Sequence, residues 1–203
     1  MTALGVGVLA GYGIAIPVGA IAVLIVQVGI RCGFWCAASA GAGAATADLA
    51  YSVLAVTGGA ALVSTVESMG DPARWVSALV LIGLAVRGLV RTRREPAAGQ
   101  TTTPGRGEFA ATYAKFVGLT MINPLTVVYF AAFVVGFGLA EGLRLGEGAL
   151  FVAGAFLASL SWQTLLAGIG ALANRNLPRR FQMVAVVAGN LIVLVIAALI
   201  IIG

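Results

Sequence analysis

The chain has no histidine, little charge and only two cysteines. Of its 203 residues, 9% are charged and 61% are hydrophobic, and the mean hydropathy is +1.06. A soluble domain of this size cannot cover so much apolar surface with so few polar residues. Without histidine, any proton coupling has to use carboxylates or water. The composition therefore predicts an integral membrane protein and directs attention to its few carboxylates.

The scarcity of reactive groups limits the chemistry that the chain can perform. Cys32 and Cys36 lie four residues apart, a spacing that matches neither a C-x-x-C redox pair nor a zinc set, so we expect packing residues. Nothing in the sequence indicates a cofactor, a metal site or covalent chemistry, and we expect no enzymatic activity. The net charge of +5 does not by itself indicate nucleic-acid binding.

Six long apolar runs predict an all-α membrane protein with six transmembrane helices. A helix needs about 20 residues to cross the ~30 Å hydrocarbon core, and the third run is the shortest. Residues 92–108 combine Pro, Gly, Thr and charge without apolar periodicity, which is typical of a linker. We expect a single transmembrane domain over residues 1–203. The predicted spans are 4–28, 35–60, 75–91, 111–138, 148–172 and 182–202.

The basic residues predict the orientation of these spans. Ten of the twelve lie in or beside the loops that follow spans one, three and five, and only Arg74 and Arg144 lie on the other side. The positive-inside rule then places the 92–108 linker in the cytoplasm and both termini outside. Eleven arginines against one lysine, with much alanine and glycine, indicate a GC-rich bacterial genome. We therefore expect a multi-pass protein of the bacterial inner membrane, whose arginines contact anionic lipid.

The linker divides the chain into two sets of three spans, 1–91 and 109–203. The first span of each set has a proline near its middle, Pro17 and Pro124. Because three is odd, the second set crosses the membrane in the opposite sense, as in transporters built from inverted repeats with broken helices at the substrate site. The prolines should free the carbonyls of Gly13 and Thr120, and Gly19 should let a ligand approach the backbone. A simple packing kink is the alternative.

Asp48 is the only acidic residue inside a predicted span. Such residues are costly in the bilayer and mark ion or substrate paths. At helical spacing, Asp48 shares a face with five small or polar residues, so we expect it to face the bundle. It would exchange a proton or bind a cationic group. The alternative is a structural hydrogen bond, for which Tyr51 is the candidate partner. The other residues of this face are Gly41, Ala44, Ala45, Tyr51 and Ser52.

Polar residues in the second half complete the candidate site. Asn123 precedes Pro124 and would cap the second half-helix or bind substrate. Trp162 and Gln163, with Ser159 and Ser161, lie in the span that corresponds to the Asp48 helix. These four residues line a pocket or pack between helices.

Three further features favour packing roles. Asn190 is predicted to form an interhelical hydrogen bond, and Gln27 to lie at the membrane interface. Gly7 and Gly11 form a small-xxx-small pair, which indicates a close helix contact or a homodimer.

Three segments resemble the lysine-exporter (LysE-type) family of amino-acid exporters. "IPVGAIAVLIVQVGIRCG" is similar to the family's first-helix motif, "GAATADLAY" to its second-helix aspartate segment, and "INPLTVVYFAAF" to its asparagine-proline motif. The resemblance covers nearly the whole chain. It implies export of amino acids or derivatives, driven by the proton gradient. The matching positions are Pro17, Gly19, Asp48, Asn123 and Pro124.

The chain also departs from the family pattern. Ala20 stands where the second proline usually falls, and Leu125 replaces a frequent lysine after the asparagine-proline pair. Ile21 and Ala22 take positions that are often polar. We therefore expect a pocket that suits a neutral or bulky amino acid better than lysine or arginine.

Together these features predict a secondary transporter that exports amino acids or related small zwitterions by proton antiport. The predicted substrate-binding residues are Gly13, Pro17, Gly19, Asp48, Tyr51, Asn123, Pro124, Trp162 and Gln163, with Asp48 also coupling the proton. One alternative is a cation or metal-ion exporter of the same superfamily, which would want more oxygen or sulfur ligands at depth. A second alternative is a thiol-redox carrier, which would need facing cysteines from both repeats, whereas Cys32 and Cys36 lie in one. A third is a structural or signalling subunit, which would give no role to Asp48 and the paired helix breaks.

Overall fold

The computed structural model describes most of the chain, and every regular element in the described part is helical. The described residues are 2–16, 19–94, 106–123, 126–127, 129–130 and 144–202. Side chains are described over the same ranges except at 59–74, 77, 91–94, 106, 179, 196 and 199–202. Pro17, Pro124 and most of the predicted linker lie outside the described residues.

The first predicted span consists of two helices. Helix α1 covers Ala3–Ala15 and helix α2 covers Ala20–Cys32, and their axes differ by 75°. The hydroxyl of Thr2 caps α1 by accepting the N–H of Gly5 at 3.3 Å. A break therefore exists where the sequence predicts one, and the part that Pro17 plays in it stays a prediction.

Helix α3 covers Phe34–Arg94 and contains both the second and the third predicted spans. A straight helix of 61 residues would be about 90 Å long. However, the side chain of Arg31, just before α3, donates to the carbonyl of Gly88 near its far end at 3.3 Å. The element must therefore double back, with one arm before residue 59 and a return arm after residue 74.

The second and third predicted spans, 35–60 and 75–91, both lie in α3. Helical backbone also covers the residues between them. The doubling back of α3 agrees with two spans of opposite direction, and their exact bounds stay a prediction.

Three more helices complete the described fold. Helix α4 covers Arg106–Met121, α5 covers Leu145–Asn176 and α6 covers Arg179–Ile202. Helix α5 has Glu147 in its first turn and Arg175 in its last, charges that match the helix dipole. Among the described helices, α5 alone is long and apolar enough to span a membrane, and α1 with α2 pass the same test as a bent pair.

Contacts between the helices give their relative directions. Gly7 lies against Phe151 and Gly29 against Gly170, so α1 and α2 follow α5 in the same N-to-C direction. The first arm of α3 runs antiparallel to α5, since Gly41 lies against Gln163 while Asp48 lies against Ser159. The same arm runs parallel to α4, because Tyr113 bonds Thr46 and Tyr51 bonds the carbonyl of Met121.

Gly7 and Gly11 serve a contact within the chain. A Cβ atom at either position would strike the backbone of α5, at Phe151 and at Ala155 respectively. Small residues let two backbones approach this closely. The predicted close helix contact is confirmed, and this glycine pair is not available to form a homodimer.

Two apolar clusters fill the bundle. The Phe116 cluster joins α2, both arms of α3, α4, α5 and α6. The Phe130 cluster joins α1, the first arm of α3, α5 and residues 127 and 130. Tyr51 stacks on Phe130 here, with ring centroids 5.6 Å apart. The Phe116 cluster includes Leu24, Ile25, Ala40, Leu81, Phe116, Leu166 and Val193, and the Phe130 cluster comprises Ala10, Ile14, Tyr51, Ala55, Val127, Phe130 and Phe151.

Three predictions about individual residues are wrong. Cys32 and Cys36 form a disulfide that joins α2 to α3 across Gly33, because the chain turn brings the two Cα atoms within 5.9 Å. Gln27 is buried, with 6% of its surface exposed, since α6 covers it at Gly189. Asn190 donates to the carbonyl of Val186 within its own helix at 2.8 Å, where the sequence analysis predicts an interhelical bond.

Candidate transport site

A polar cavity of about 90 Å³ lies between the two halves of the chain. The first half contributes residues from both sides of the α1–α2 break and from the first arm of α3. The second half contributes the end of α4, the residues that follow it and α5. The lining residues are Ile14, Ala15, Gly19, Ile21, Ala22, Asp48, Thr120, Asn123, Thr126, Tyr129 and Gln163.

Asp48 is the charged residue of this lining, and it is held by α5. The hydroxyl of Ser159 donates to Oδ2 of Asp48 at 2.6 Å. Both residues are buried, with 5% of Asp48 and 1% of Ser159 exposed. A short hydrogen bond to a carboxylate is among the stronger kinds in proteins. Ser159 therefore orients the carboxylate and leaves its other oxygen for a ligand.

The N-terminus of α2 brings a partial positive charge to the cavity, opposite in sign to the carboxylate of Asp48. Its N-cap is Gly19, which makes no side-chain capping bond, and Gly19, Ile21 and Ala22 all line the cavity. The first N–H groups of a helix have no acceptor within the helix and carry a partial positive charge. This end of the cavity is therefore suited to an anionic group.

The second half contributes an irregular turn after α4. The N–H of Asn123 donates to the carbonyl of Thr120 at 3.2 Å, and the N–H of Thr126 donates to the carbonyl of Asn123 at 3.1 Å. The prediction that the Thr120 carbonyl lacks a donor is therefore wrong, because the chain tightens and Asn123 supplies one. The cap or substrate contact expected of Asn123 stays a prediction.

Two buried polar atoms of the lining have no hydrogen-bond partner among the residues that the structure describes. They are Oγ1 of Thr120 and Oε1 of Gln163, on side chains that are 4% and 6% exposed. An unsatisfied buried polar group costs about 1–3 kcal/mol, so such groups are rare in folded proteins. Their position in the cavity indicates that a ligand or water satisfies them.

The comparisons with known proteins give the family. The family model described as LysE type translocator matches residues 13–203. The chain belongs to this family. No curated protein and no solved structure matches it significantly. Members of the LysE family are membrane transporters, which fits an exporter of amino acids or related substances and agrees with the resemblance found in the three sequence motifs.

The structure brings four of the predicted site residues of this LysE translocator together. Gly19, Asp48, Asn123 and Gln163 line one cavity, although they come from distant parts of the sequence. Their association results from the packing of α2, α3, α4 and α5 around one centre.

The remaining predicted site residues lie elsewhere. Tyr51 donates to the carbonyl of Met121 at 2.6 Å, and Asp48 takes Ser159 as its partner instead. Trp162 packs against the Phe116 cluster, where its buried Nε1 has no hydrogen-bond partner in the described part of the chain. Gly13 is exposed and outside the lining, and Pro17 and Pro124 lie outside the described residues, so their roles stay predictions.

The predicted inward face of the Asp48 helix is confirmed. Ala44, Ala45 and Ser52 are fully buried, Tyr51 is 8% exposed, and Gly41 is buried against Gln163. The spacing of small and polar residues is sufficient to identify this face because it follows the helical period.

Three further lining side chains, those of Thr120, Thr126 and Tyr129, were not predicted from the sequence. The two threonines lie on either side of Asn123-Pro124 in an apolar run, a signal that could have marked them as lining residues. Within the described part of the chain, no three His, Cys, Asp or Glu side chains cluster closely enough to hold a metal ion.

Proposed function

We propose that this LysE translocator exports amino acids or related small zwitterions by proton antiport with alternating access. The observation that supports this most strongly is the cavity itself. One carboxylate, Asp48, and one uncapped helix N-terminus, that of α2, line the same small volume. A zwitterion carries the two complementary charges a short distance apart.

The substrate is held by its two charged groups. Its carboxylate accepts hydrogen bonds from the first-turn amides of α2, where the dipole favours an anion. Its ammonium group meets the free oxygen of Asp48. Ile14, Ile21 and Tyr129 form the less polar part of the lining and face the side chain of the substrate. A cavity of about 90 Å³ favours a small neutral amino acid over a bulky one.

Asp48 couples transport to protons because it has two ways of being neutralised. A carboxylate in a poorly solvated site is costly unless a cation or a proton balances it. When the ammonium group is bound, the carboxylate is paired. When the substrate has left, a proton binds the carboxylate in place of the ammonium group. Exchange of the bound substrate for a proton at Asp48 is antiport.

The relative directions of the helices support an inverted repeat. In such a repeat, the contact of span one with span five corresponds to a contact of span four with span two. The structure has both contacts, and both are parallel: α1 and α2 along α5, and α4 along the first arm of α3. Residues beside both predicted breaks, Gly19 and Asn123, line the cavity.

Alternating access then requires a barrier on each side of the cavity. The Phe130 cluster and the Phe116 cluster are two separate apolar clusters, and each draws residues from both halves of the chain. We propose that they are the two barriers and that rocking of the repeats opens one while the other stays closed. By the positive-inside prediction, the linker side is cytoplasmic and both termini lie outside, in a bacterial inner membrane.

A flux assay in proteoliposomes tests the proposal. Purified protein is reconstituted, a pH gradient is imposed, and labelled neutral and basic amino acids are screened with wild type beside Asp48→Asn. This change keeps the shape of the side chain and removes its charge. We expect gradient-driven flux of a neutral amino acid in the wild type and a loss of about 100-fold or more in the variant.

The matched control is Glu108→Gln, which makes the same chemical change at an exposed carboxylate of α4 and should retain full flux. Flux that ignores the pH gradient and survives in Asp48→Asn would refute the proton role. No flux for any amino acid in the wild type would refute the substrate class.

A further inference from the structure

We infer that Gln163 and Thr120 complete, with Asp48, a set of three acceptors that selects a primary ammonium group. This inference rests on the proposed function and specifies the substrate class within it. All three side chains line the same cavity. Within the described parts of the chain, Oε1 of Gln163 and Oγ1 of Thr120 are buried without a hydrogen-bond partner, and Ser159 donates to one oxygen of Asp48.

The directions of α3 and α5 bring Asp48 and Gln163 toward one another. Side chains on a helix lean toward its N-terminus. The first arm of α3 and α5 are antiparallel, with Gly41 beside Gln163 and Asp48 beside Ser159. Gln163 therefore leans toward the level of Asp48, and Asp48 leans toward the level of Gln163.

Small residues leave room for a ligand between these side chains. Ala44 is fully buried and lies one helical turn before Asp48, at the level where the two side chains converge. A Cβ at Gly41 would come within 2.9 Å of Cβ of Gln163, so the two helices touch at this level. This contact fixes the start of the Gln163 side chain, whose amide lines the cavity.

The number of acceptors matches one chemical group. A primary ammonium has three N–H donors. Asp48, Gln163 and Thr120 offer it a carboxylate oxygen, an amide oxygen and a hydroxyl oxygen, beside the other polar side chains of the lining, which are Asn123, Thr126 and Tyr129. Each N-methyl group removes one donor and adds volume, which leaves one buried acceptor without a partner. Sites built around buried polar groups reject analogues that lack the matching group far better than apolar sites reject an extra methylene. The translocator should therefore prefer amino acids over their N-methylated forms.

The test is transport of a methylation series. Flux of L-alanine, N-methyl-L-alanine and N,N-dimethyl-L-alanine is measured in the same proteoliposomes for wild type, Gln163→Leu and Gln163→Glu. We expect wild-type flux at limiting substrate to fall about 10-fold or more with each methyl group. Gln163→Leu should lower alanine flux about 10- to 100-fold and dimethylalanine flux much less. The preference for the primary amine should therefore collapse.

Gln163→Glu distinguishes the two ways in which the amide could act. A glutamate keeps the acceptor, so the preference for alanine should survive. If Gln163 instead donates to the substrate carboxylate, the negative charge of Gln163→Glu repels that carboxylate. Alanine flux is then lost in Gln163→Glu and is better retained in Gln163→Leu. That pattern would overturn the inference. Gln27→Leu is the matched control, since Gln27 is equally buried but lies outside the cavity lining, and it should leave the preference unchanged.

The outcomes for the subsite and for the transporter are separable. Wild type that moves all three compounds equally would overturn the ammonium subsite and leave the transporter standing. The same holds if the preference survives in Gln163→Leu. Wild type that moves none of the three would overturn the subsite for a small neutral substrate, and the wider screen of amino acids then shows whether transport itself fails.

Discussion

The contact between α2 and α5 yields a prediction that two neighbouring glycines can test. Gly168 and Gly170 both lie on α5 and are two residues apart. A Cβ at Gly170 would come within 2.9 Å of Cα of Gly29, and it would also strike the carbonyl of Val26, whereas a Cβ at Gly168 would meet nothing within 4 Å. Replacing each glycine by alanine therefore makes the same chemical change in two different surroundings.

The magnitudes follow from the geometry. Alanine is about 1 kcal/mol better than glycine inside a helix, so Gly168→Ala should stabilise the protein by about this amount. At Gly170 the added carbon lies about 0.6 Å inside the ~3.5 Å at which carbon atoms attract. Its neighbours are backbone atoms that cannot rotate away, and such overpacking costs about 1–3 kcal/mol. We expect Gly170→Ala to be less stable than Gly168→Ala by about 1–3 kcal/mol.

Thermal unfolding of purified protein in detergent measures the difference. For a domain of this size, about 1 kcal/mol shifts the midpoint by about 2–4 °C. We expect a midpoint slightly above wild type for Gly168→Ala and one several degrees lower for Gly170→Ala. Equal shifts of the unfolding midpoint in the two variants would show that α2 and α5 do not approach each other at Gly29. One of the contacts that support the inverted repeat would then be refuted.

Three further substitutions test separate parts of the structure. Tyr51→Phe removes the bond to the carbonyl of Met121 but keeps the ring stack, so it should cost about 1 kcal/mol of stability, read from the unfolding midpoint. Gly33 has φ of 84°, where other residues are strained by about 1–3 kcal/mol, so Gly33→Ala should lower the same midpoint. Replacing Cys32 and Cys36 together by serine removes a short disulfide loop worth up to about 2 kcal/mol and should leave flux intact. A loss of flux would give the disulfide a part in transport.

Local features of the fold were accessible from the sequence. The break predicted within the first span appears as the separate helices α1 and α2. The buried face around Asp48 follows from helical periodicity alone. The doubling back of α3 agrees with the two predicted spans 35–60 and 75–91, because consecutive spans cross a membrane in opposite directions.

The candidate site was accessible only in part. Asp48, Gly19, Asn123 and Gln163 stand out as polar or flexible residues within apolar runs, and they line the cavity. Tyr51 stands out in the same way, but its hydroxyl is used on a backbone carbonyl. Composition and spacing do not distinguish a polar group that faces a cavity from one that faces a neighbouring helix.

The sequence by itself determined the membrane class, the family and the face of the helix that carries Asp48, because these depend on composition, motifs and periodicity along one segment. The tertiary structure alone decided the partner of Asp48. Ser159 is 111 residues away, and only the antiparallel packing of α3 and α5 brings the two side chains together. It also decided which polar atoms remain unsatisfied, since that depends on every neighbour in three dimensions, and those atoms are the basis of the proposed ammonium subsite.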